Sequence, residues 1–286
     1  MTSIGIGPVC RDQAVCGIGA NGEVRCVGRF AAHANVAPGE RSLCSANAVG
    51  TPTRGSPPAP NDVREIPIRG PIRWLARNEE RVCASGAQGA FCFRDGPGSV
   101  SLEFDTSLAR AAAAAIGLAH QCTITDTHAH CSGASDLFQS TPSGDGSVDL
   151  ADVRAVVAGA NHTCVLRSSR GVACWGDDLD GQSSGSGRSG EATRIVEVPG
   201  LGPSTSVCAG DHHSCALGDD GKVRCWGRNR EREANPASDA EIVGPTEVPL
   251  GARASAIACG GTATCAIASG RAYCWGSISI GYGAPA

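Results

Sequence analysis

Pairs of cysteines dominate this sequence, because six of them recur along its 286 residues with eight or nine residues between the two members. The stretch DHHSCALGDDGKVRCWGRN (211–229) contains one pair, and TATCAIASGRAYCWGS (262–277) contains another in the same arrangement. A unit that returns about every 40 to 70 residues indicates stacked or radial repeats. The six pairs are Cys16/Cys26, Cys83/Cys92, Cys122/Cys131, Cys164/Cys174, Cys215/Cys225 and Cys265/Cys274.

Each pair is predicted to close a β-hairpin. Short runs of β-type residues flank a turn sequence, as SCAL and KVRCW flank GDDG. With nine intervening residues the cysteines face each other across a three-residue loop, such as 219–221, whose last residue is left-handed. With eight intervening residues the turn has two residues, as at Ser269–Gly270. The fourth pair fits less well, because Gly171 falls one place late.

This spacing predicts disulfides rather than a zinc site. Opposed residues of an antiparallel pair lie about 4.5–5.5 Å apart at Cα, which suits a disulfide. Zinc modules instead use closely spaced cysteines or Cys/His sets. A disulfide-rich chain indicates an oxidising location, which is extracellular, periplasmic or at the cell surface. No signal segment is recognised in the chain itself.

Four short strands are predicted for each unit, because two further β-type runs precede each hairpin. The nearer runs include VRAVVAG (153–159) and STSVCAG (204–210). Four-stranded sheets repeated around an axis form a β-propeller. The sequence therefore predicts an all-β propeller of about six four-stranded blades with intra-blade hairpin disulfides, and the alternative is an incomplete or seven-bladed ring. The recurring Trp175, Trp226 and Trp275 are predicted to fill the space between neighbouring sheets.

These residues carry a family resemblance. The segment VVAGANHTCVLRSSRGVACWGDDLDGQSSG (156–185) resembles the repeat of the regulator of chromosome condensation family, in its bacterial, cysteine-paired, secreted form, down to Gly181–Gln182. The fifth and sixth copies match through CWG and lose the Gly-Gln pair. The resemblance implies one propeller domain over residues 1–286, usually with seven blades, and a protein that binds a partner. Six hairpins are recognised, with a Pro/Gly-rich insertion at about 29–62.

Four cysteines lie outside the hairpin pattern: Cys10, Cys44, Cys208 and Cys259. Three of them, Cys10, Cys208 and Cys259, are interpreted as sharing one repeat position, six or seven residues before the hairpin cysteine. Because the fifth and sixth copies are neighbours, Cys208 is predicted to bridge to Cys259, and Cys10 then pairs with Cys44. In a closed ring Cys10 also lies near Cys259, so this second pairing stays open.

Histidine stands two residues before the first cysteine in the third, fourth and fifth copies. His120, His162 and His213 are interpreted as structural hydrogen-bonding groups at a strand start, because repeats of the family commonly carry histidine there. The alternative is that the three rings converge and bind a transition metal; no other cofactor is predicted. Asp211 and His212 exceed what the repeat requires. This enrichment makes blades 3 to 5 the predicted binding surface.

Charge and hydropathy argue against two classes of function. The net charge is −4 with no basic block, which argues against nucleic-acid binding. No apolar run approaches the roughly 18–20 residues of a membrane span. We therefore expect a non-enzymatic, extracellular scaffold that presents loops to a protein or glycan partner. The alternative is an enzyme that uses a central pocket or the histidine-rich sector, with or without a metal.

Overall fold

The computed structural model describes residues 4–5, 14–18, 24–28, 63–66, 72–77, 81–86, 89–96, 99–106, 108–142, 148–186 and 190–277. Throughout these residues all regular secondary structure is β-strand, which confirms the predicted all-β class. The same residues contain no helix long and apolar enough to cross a bilayer. The predicted insertion at about 29–62 lies outside them.

Six antiparallel sheets are formed by consecutive strands of the described chain. The first contains β1 (Ile4–Gly5), β2 (Ala14–Ile18), β3 (Val24–Gly28) and β4 (Val63–Ile66). The second contains β5 (Trp74–Arg77), β6 (Arg81–Gly86), β7 (Gly89–Gly96) and β8 (Ser99–Phe104). The third contains β9 (Ala113–Ile116), β10 (His120–Thr125), β11 (His128–Gly133) and β12 (Asp149–Leu150).

The remaining three sheets repeat the same strand order. The fourth contains β13 (Val153–Ala158), β14 (His162–Arg167), β15 (Val172–Asp178) and β16 (Gly190–Glu197). The fifth contains β17 (Ser204–Ala209), β18 (His213–Gly218), β19 (Val223–Arg228) and β20 (Ile242–Glu247). The sixth contains β21 (Ala254–Gly260), β22 (Ala263–Ala268) and β23 (Arg271–Gly276), and residues 278–286 lie outside the described part.

The sheets stand around a ring as the blades of a propeller. The first strands of the six sheets follow one another with Cα atoms within 8 Å, and β1 lies next to both β5 and β21. The described residues therefore form a closed ring of six blades, and we number them 1 to 6 in chain order. Of the two strand-like runs before each hairpin, the more distant one is the outer strand of the preceding blade, as β16 shows for blade 4.

The hairpins have the predicted register, because in each blade the two cysteines are opposed across the second and third strands. In blade 6 the turn is Ser269–Gly270, and both residues have positive φ (49° and 74°). This is the two-residue turn that matches the twist of the strands. Blade 3 turns in the same way at Asp126–Thr127, with φ of 49° and 68°.

The three-residue turns explain the poor fit of the fourth copy. In blade 5 the loop 219–221 ends on Gly221, which is left-handed with φ 75°. In blade 4 the equivalent third residue is Arg170, with φ 73°, and Gly171 comes after it. The hairpin therefore keeps the common geometry with an arginine in a conformation that favours glycine.

Five hairpin disulfides lie within the described residues and confirm the predicted intra-blade bridges. They are Cys83–Cys92, Cys122–Cys131, Cys164–Cys174, Cys215–Cys225 and Cys265–Cys274, with Cα separations of 4.0–4.1 Å. Cys16 and Cys26 are opposed in the backbone register of blade 1, but their side chains, like Cys10 and Cys44, lie outside the described part. Each tryptophan after a hairpin shares a buried cluster with the disulfide of the preceding blade, as predicted: Trp175, Trp226 and Trp275.

A further disulfide, Cys208–Cys259, joins the first strands of blades 5 and 6. The two cysteines do not share a repeat position, which corrects the interpretation from the sequence. Cys208 is opposed to Cys215, whereas Cys259 is opposed to Thr264, one position further along. Successive residues of a strand point to opposite faces of the sheet. This offset lets Cys208 face blade 6 while Cys259 faces blade 5, whereas equal positions would face the same way around the ring.

Candidate functional site

A buried histidine links each of blades 3, 4 and 5 to the next blade. The three histidines are the first residues of β10, β14 and β18, and all are buried. Each Nε2 atom lies within hydrogen-bonding distance of a buried hydroxyl on the second strand of the following blade. The pairs are His120–Thr163 (2.9 Å), His162–Ser214 (2.8 Å) and His213–Thr264 (2.7 Å).

The hydroxyl groups determine which atom donates in these pairs. Thr163 Oγ1 donates its one proton to the carbonyl oxygen of Gln139 at 2.9 Å, so it accepts from His120 Nε2. Each of the three histidines therefore carries a proton on Nε2, and its Nδ1 atom has no hydrogen-bond partner among the described residues. The two other hydroxyls donate in the same way, Ser214 to Gln182 (3.1 Å) and Thr264 to Glu233 (2.8 Å).

The glycine three residues before each of these histidines makes room for the histidine ring. In blade 4 a Cβ atom on Gly159 would overlap the His162 ring at Cε1 and Nδ1. The Gly159 N–H also donates to the carbonyl oxygen of His162 at 2.9 Å, which ends the pairing of the first two strands. Gly117 and Gly210 stand in the same relation to their own histidines. A glycine and a histidine three residues apart thus form one packing unit.

The loop after the third strand supplies the acceptor carbonyls. In blade 4 the left-handed Gly181 (φ 75°) precedes Gln182, whose buried side-chain oxygen accepts the Asp180 N–H at 2.8 Å. Blades 3 and 5 keep this conformation with Phe138–Gln139 and Arg232–Glu233, where φ is 60° and 62° at the first residue. Blade 5 thus loses the Gly-Gln sequence but not its geometry. The indole N–H groups of Trp175 and Trp226 donate to the same carbonyls of Gln139 and Gln182 (3.0 and 2.9 Å).

Burial keeps these histidines uncharged. Desolvation lowers the pKa of His120 from 6.5 to about 4 and that of His213 to about 3. Desolvation is also the main reason why the pKa of His162 lies well below 6.5. The three Nε2 atoms point to three different hydroxyls, and in the described residues no cluster of three metal-ligating side chains includes them. The structure therefore does not bring the predicted metal ligands together.

Asp211 and His212 lie in the connection between the first and second strands of blade 5. Their main chain continues the inter-blade network, because Asp211 N donates to Gly261 O (2.8 Å) and Asp211 O accepts from Ala160 N (3.2 Å). Their side chains are not part of the His–hydroxyl hydrogen bonds between blades. His212 Nδ1 lies 3.6 Å from a carboxylate oxygen of Asp180 on blade 4. Burial raises the pKa of Asp211, and His212 and Arg228 oppose that rise.

Two leucines are exposed at the same end of the propeller. Connections from the first to the second strand and from the third to the fourth leave a blade at one end, because successive strands are antiparallel. Leu118, in the former connection of blade 3, is 46% exposed, and Leu179, in the latter connection of blade 4, is 58% exposed. Leu179 precedes Asp180 in the chain, and Asp180 lies beside His212. We name this end the loop face; in blades 3 to 5 it comprises 117–119, 134–142, 159–161, 179–186, 210–212 and 229–241.

Comparison with known sequences identifies the repeat. The family described as the Regulator of chromosome condensation (RCC1) repeat matches residues 153–182 and 205–232, which cover most of blades 4 and 5 up to the loop after the third strand. Protein RCC1 of Candida albicans is 31% identical over 98 residues, or 32% of this chain. The match covers 21% of that protein, so it spans about a fifth of this relative's length.

Comparison with solved structures gives the same architecture. Yeast RCC1 (Prp20), in a structure with Kap60 bound to it, superimposes with a TM-score of 0.68, 18% identity and coverage of 96% of this chain and 69% of that one. Prp20p from Saccharomyces cerevisiae, described with its binding properties to Gsp1p and histones, superimposes with a TM-score of 0.68 and 16% identity. This match covers 96% of the present chain and 71% of Prp20p. At these identities the likeness shows the fold, which confirms the predicted β-propeller.

Proposed function

Because this chain is a β-propeller of RCC1-like repeats, we propose that it is a non-enzymatic extracellular scaffold that binds a protein partner through its loop face. Residues 1–286 form one propeller domain in this proposal, with the insertion at about 29–62 between two strands of blade 1. A protein partner agrees with the proteins named for the yeast structures, Kap60, Gsp1p and histones. The partner of this chain depends on the residues of its own loops, because the fold alone does not specify function.

The proposal rests on a contrast within blades 3 to 5. The buried residues that bond one blade to the next, which we call the frame, differ from the exposed apolar residues of the loop face. Frame residues such as His162 and Ser214 are buried in the strands and bond to each other across the junction of blades 4 and 5. Leu118 and Leu179 are exposed at one end and contribute little to the core. We infer that these two side chains contribute to the apolar core that protein interfaces contain.

The charged groups beside these leucines add specificity. Asp180 and His212 face each other across the junction of blades 4 and 5, and Asp211 precedes His212 in the chain. Polar groups at the rim of an apolar contact set the register and the choice of partner more than the affinity. His120, His162 and His213, in contrast, are proposed to act only as structural links.

The disulfides support an extracellular location. Five hairpin bridges and one bridge between blades lie in the described residues alone. Cytosolic reductants keep most thiols reduced, so a chain that depends on this many bridges belongs in an oxidising compartment.

The test is a capture experiment with matched variants. The oxidised protein is immobilised and exposed to culture medium and to the surface-protein fraction of the source cells, and bound proteins are quantified by mass spectrometry. A Leu118→Ser/Leu179→Ser variant should lose at least tenfold of the specific partner. A Lys222→Ser variant, changed at a hairpin turn of the opposite end, should retain it. The proposal fails if no bound protein depends on the two leucines, and binding to a glycan array that is lost in the same variant would replace the protein partner by a glycan.

A further inference from the structure

Blade 5 contains a row of three cysteines on adjacent strands. Cys208 on β17 is opposed to Cys215 on β18, which is opposed to Cys225 on β19. Opposed residues of antiparallel strands project from the same face of the sheet. The residues at the first position of this row in blades 2, 3, 4 and 6 are Ala76, Ala115, Val157 and Ala258. Among these blades and blade 5, a third cysteine therefore occurs in blade 5 only.

The sulfur atoms of Cys208 and Cys215 lie close to each other and to the sulfur of Cys259. The Sγ atoms of Cys208, Cys215 and Cys259 all lie within 4.8 Å of one another. Cys208 is bonded to Cys259, and Cys215 is bonded to Cys225. Two disulfides thus meet in the core between blades 5 and 6, which both contribute to one buried cluster.

The backbone also permits a bond between Cys208 and Cys215. Gly210 N donates to His213 O, which makes 210 and 213 a hydrogen-bonded pair. Since pair types alternate along an antiparallel ladder, 208 and 215 form the same kind of pair, with Cα atoms about 5.5 Å apart. Disulfides most often span about that distance. Cys215 can therefore be bridged to either neighbour in the row.

We propose that this row is a thiol-modification site that works by internal disulfide exchange. An external thiolate attacks Cys259 Sγ, forms a mixed disulfide with it, and displaces Cys208 as a thiolate. Cys208 then attacks Cys215 Sγ; the Cys208–Cys215 bond forms, the Cys215–Cys225 bond breaks, and Cys225 leaves as a thiolate that takes a proton from water. The number of disulfide bonds is conserved, and the only co-reactant is one low-molecular-weight thiol.

The geometry of the row favours the second step. Thiol–disulfide exchange requires the attacking, central and leaving sulfurs to be nearly in line. Cys215 is on the middle strand, so Cys208 approaches it from the side opposite Cys225. The point of entry follows from exposure, because Cys259 is partly exposed whereas Cys208 is buried. The exchange replaces the covalent link between blades 5 and 6 with a link inside blade 5.

The experiment uses a variant in which the first step is already complete. In Cys259→Ser protein, Cys208 is a thiol next to the Cys215–Cys225 disulfide. The folded protein is held at pH 8.5 without reductant, labelled with iodoacetamide and mapped by mass spectrometry. The proposal predicts label on both Cys208 and Cys225, with at least a tenth on Cys225, together with a Cys208–Cys215 peptide. Label on Cys208 alone would overturn it.

Two controls separate exchange from unfolding. In a Cys208→Ala/Cys259→Ser/Ala209→Cys variant the thiol moves one residue along, to the opposite face of the sheet, so no label should reach Cys225. Label on Cys225 in that variant would show exchange through opened protein and would also overturn the proposal. The unmodified protein, incubated with glutathione at pH 8 and quenched with acid, provides a second measurement. It should show glutathione on Cys259 together with the Cys208–Cys215 bond, and glutathione on Cys259 with the Cys215–Cys225 bond still intact would contradict the exchange.

Discussion

Acid should destabilise this propeller through its three buried histidines. A histidine whose pKa is lower in the folded than in the unfolded state binds its proton mainly after unfolding. Its stabilising contribution is complete above the unfolded pKa of about 6.5 and declines as the pH falls toward the folded value. That window ends at about 4 for His120 and about 3 for His213. The pKa of His162 is also lowered, so this residue acts in the same direction.

The magnitude follows from these shifts. At pH 5 the unfolded chain is protonated at a given histidine while the folded chain is not, which lowers the free energy of unfolding by about 2 kcal/mol per histidine. His120 and His213 together should therefore lower it by about 4 kcal/mol between pH 7.5 and pH 5, and His162 acts in the same direction. This is a large share of the stability of an ordinary domain, about 5–15 kcal/mol.

Urea unfolding of the oxidised protein at pH 7.5 and pH 5 measures this difference. A His213→Gln variant removes one titrating ring, so its difference between the two pH values should be about 2 kcal/mol smaller than that of the parent, whatever the variant costs at pH 7.5. A Leu179→Ser variant, which changes an exposed side chain without a titrating group, is the control and should keep the parental difference. If His213→Gln also keeps it within about 0.5 kcal/mol, the buried neutral histidine does not control acid stability and the reasoning is refuted.

Three further predictions concern stability at neutral pH. Gly159→Ala should lower the free energy of unfolding by about 2–4 kcal/mol, because its Cβ overlaps the His162 ring. Gly171→Ala is the control and should change it by less than about 0.5 kcal/mol, because its Cβ would meet only the ends of the Glu197 and Ser169 side chains. Equal urea midpoints for the two variants would contradict this. Arg170→Gly should raise the melting temperature slightly. Glycine removes the strain of a left-handed backbone at this position, about 1 kcal/mol, which exceeds the loss of the exposed Arg170–Asp219 ion pair. A lower melting temperature would show that the ion pair dominates. Replacing Cys208 and Cys259 by alanine should lower the free energy of unfolding by about 4 kcal/mol, because that bridge spans 51 residues. Removing the hairpin bridge Cys164–Cys174, which spans 10 residues, should lower it by about 2.7 kcal/mol. The reverse order in calorimetry would contradict the chain-entropy estimate.

The hairpins were predictable because their determinants are local. The spacing of two cysteines and the residues between them specify a register, and the structure has that register in each blade. The prediction needed glycine at the left-handed position, and blade 4 has Arg170 there instead. The pairing of the strands on both sides determines this conformation, so tertiary structure overrides the preference of one residue.

The role of the histidines was only half predictable. A structural hydrogen bond was expected, but the partners lie in the next blade, 43 to 52 residues away. The sequence does contain a signal for them: histidine precedes the hairpin cysteine in copies three, four and five, and a hydroxyl residue in copies four, five and six. This shift by one copy is what a contact between neighbouring blades requires.

The sequence alone determines the repeated unit of this protein, because turn chemistry, cysteine spacing and strand alternation act over about ten residues. It also determines the propeller, since a unit with two apolar faces must be covered by copies of itself. Only the tertiary structure decides how the copies meet. Glu233 can replace a glutamine because its side-chain oxygen accepts a backbone N–H of the same loop, as glutamine does in blade 4. Cys208 bonds to Cys259 because a shift of one residue along a strand places the side chain on the opposite face of the sheet. These relations depend on the rotation between neighbouring blades, which no single repeat contains.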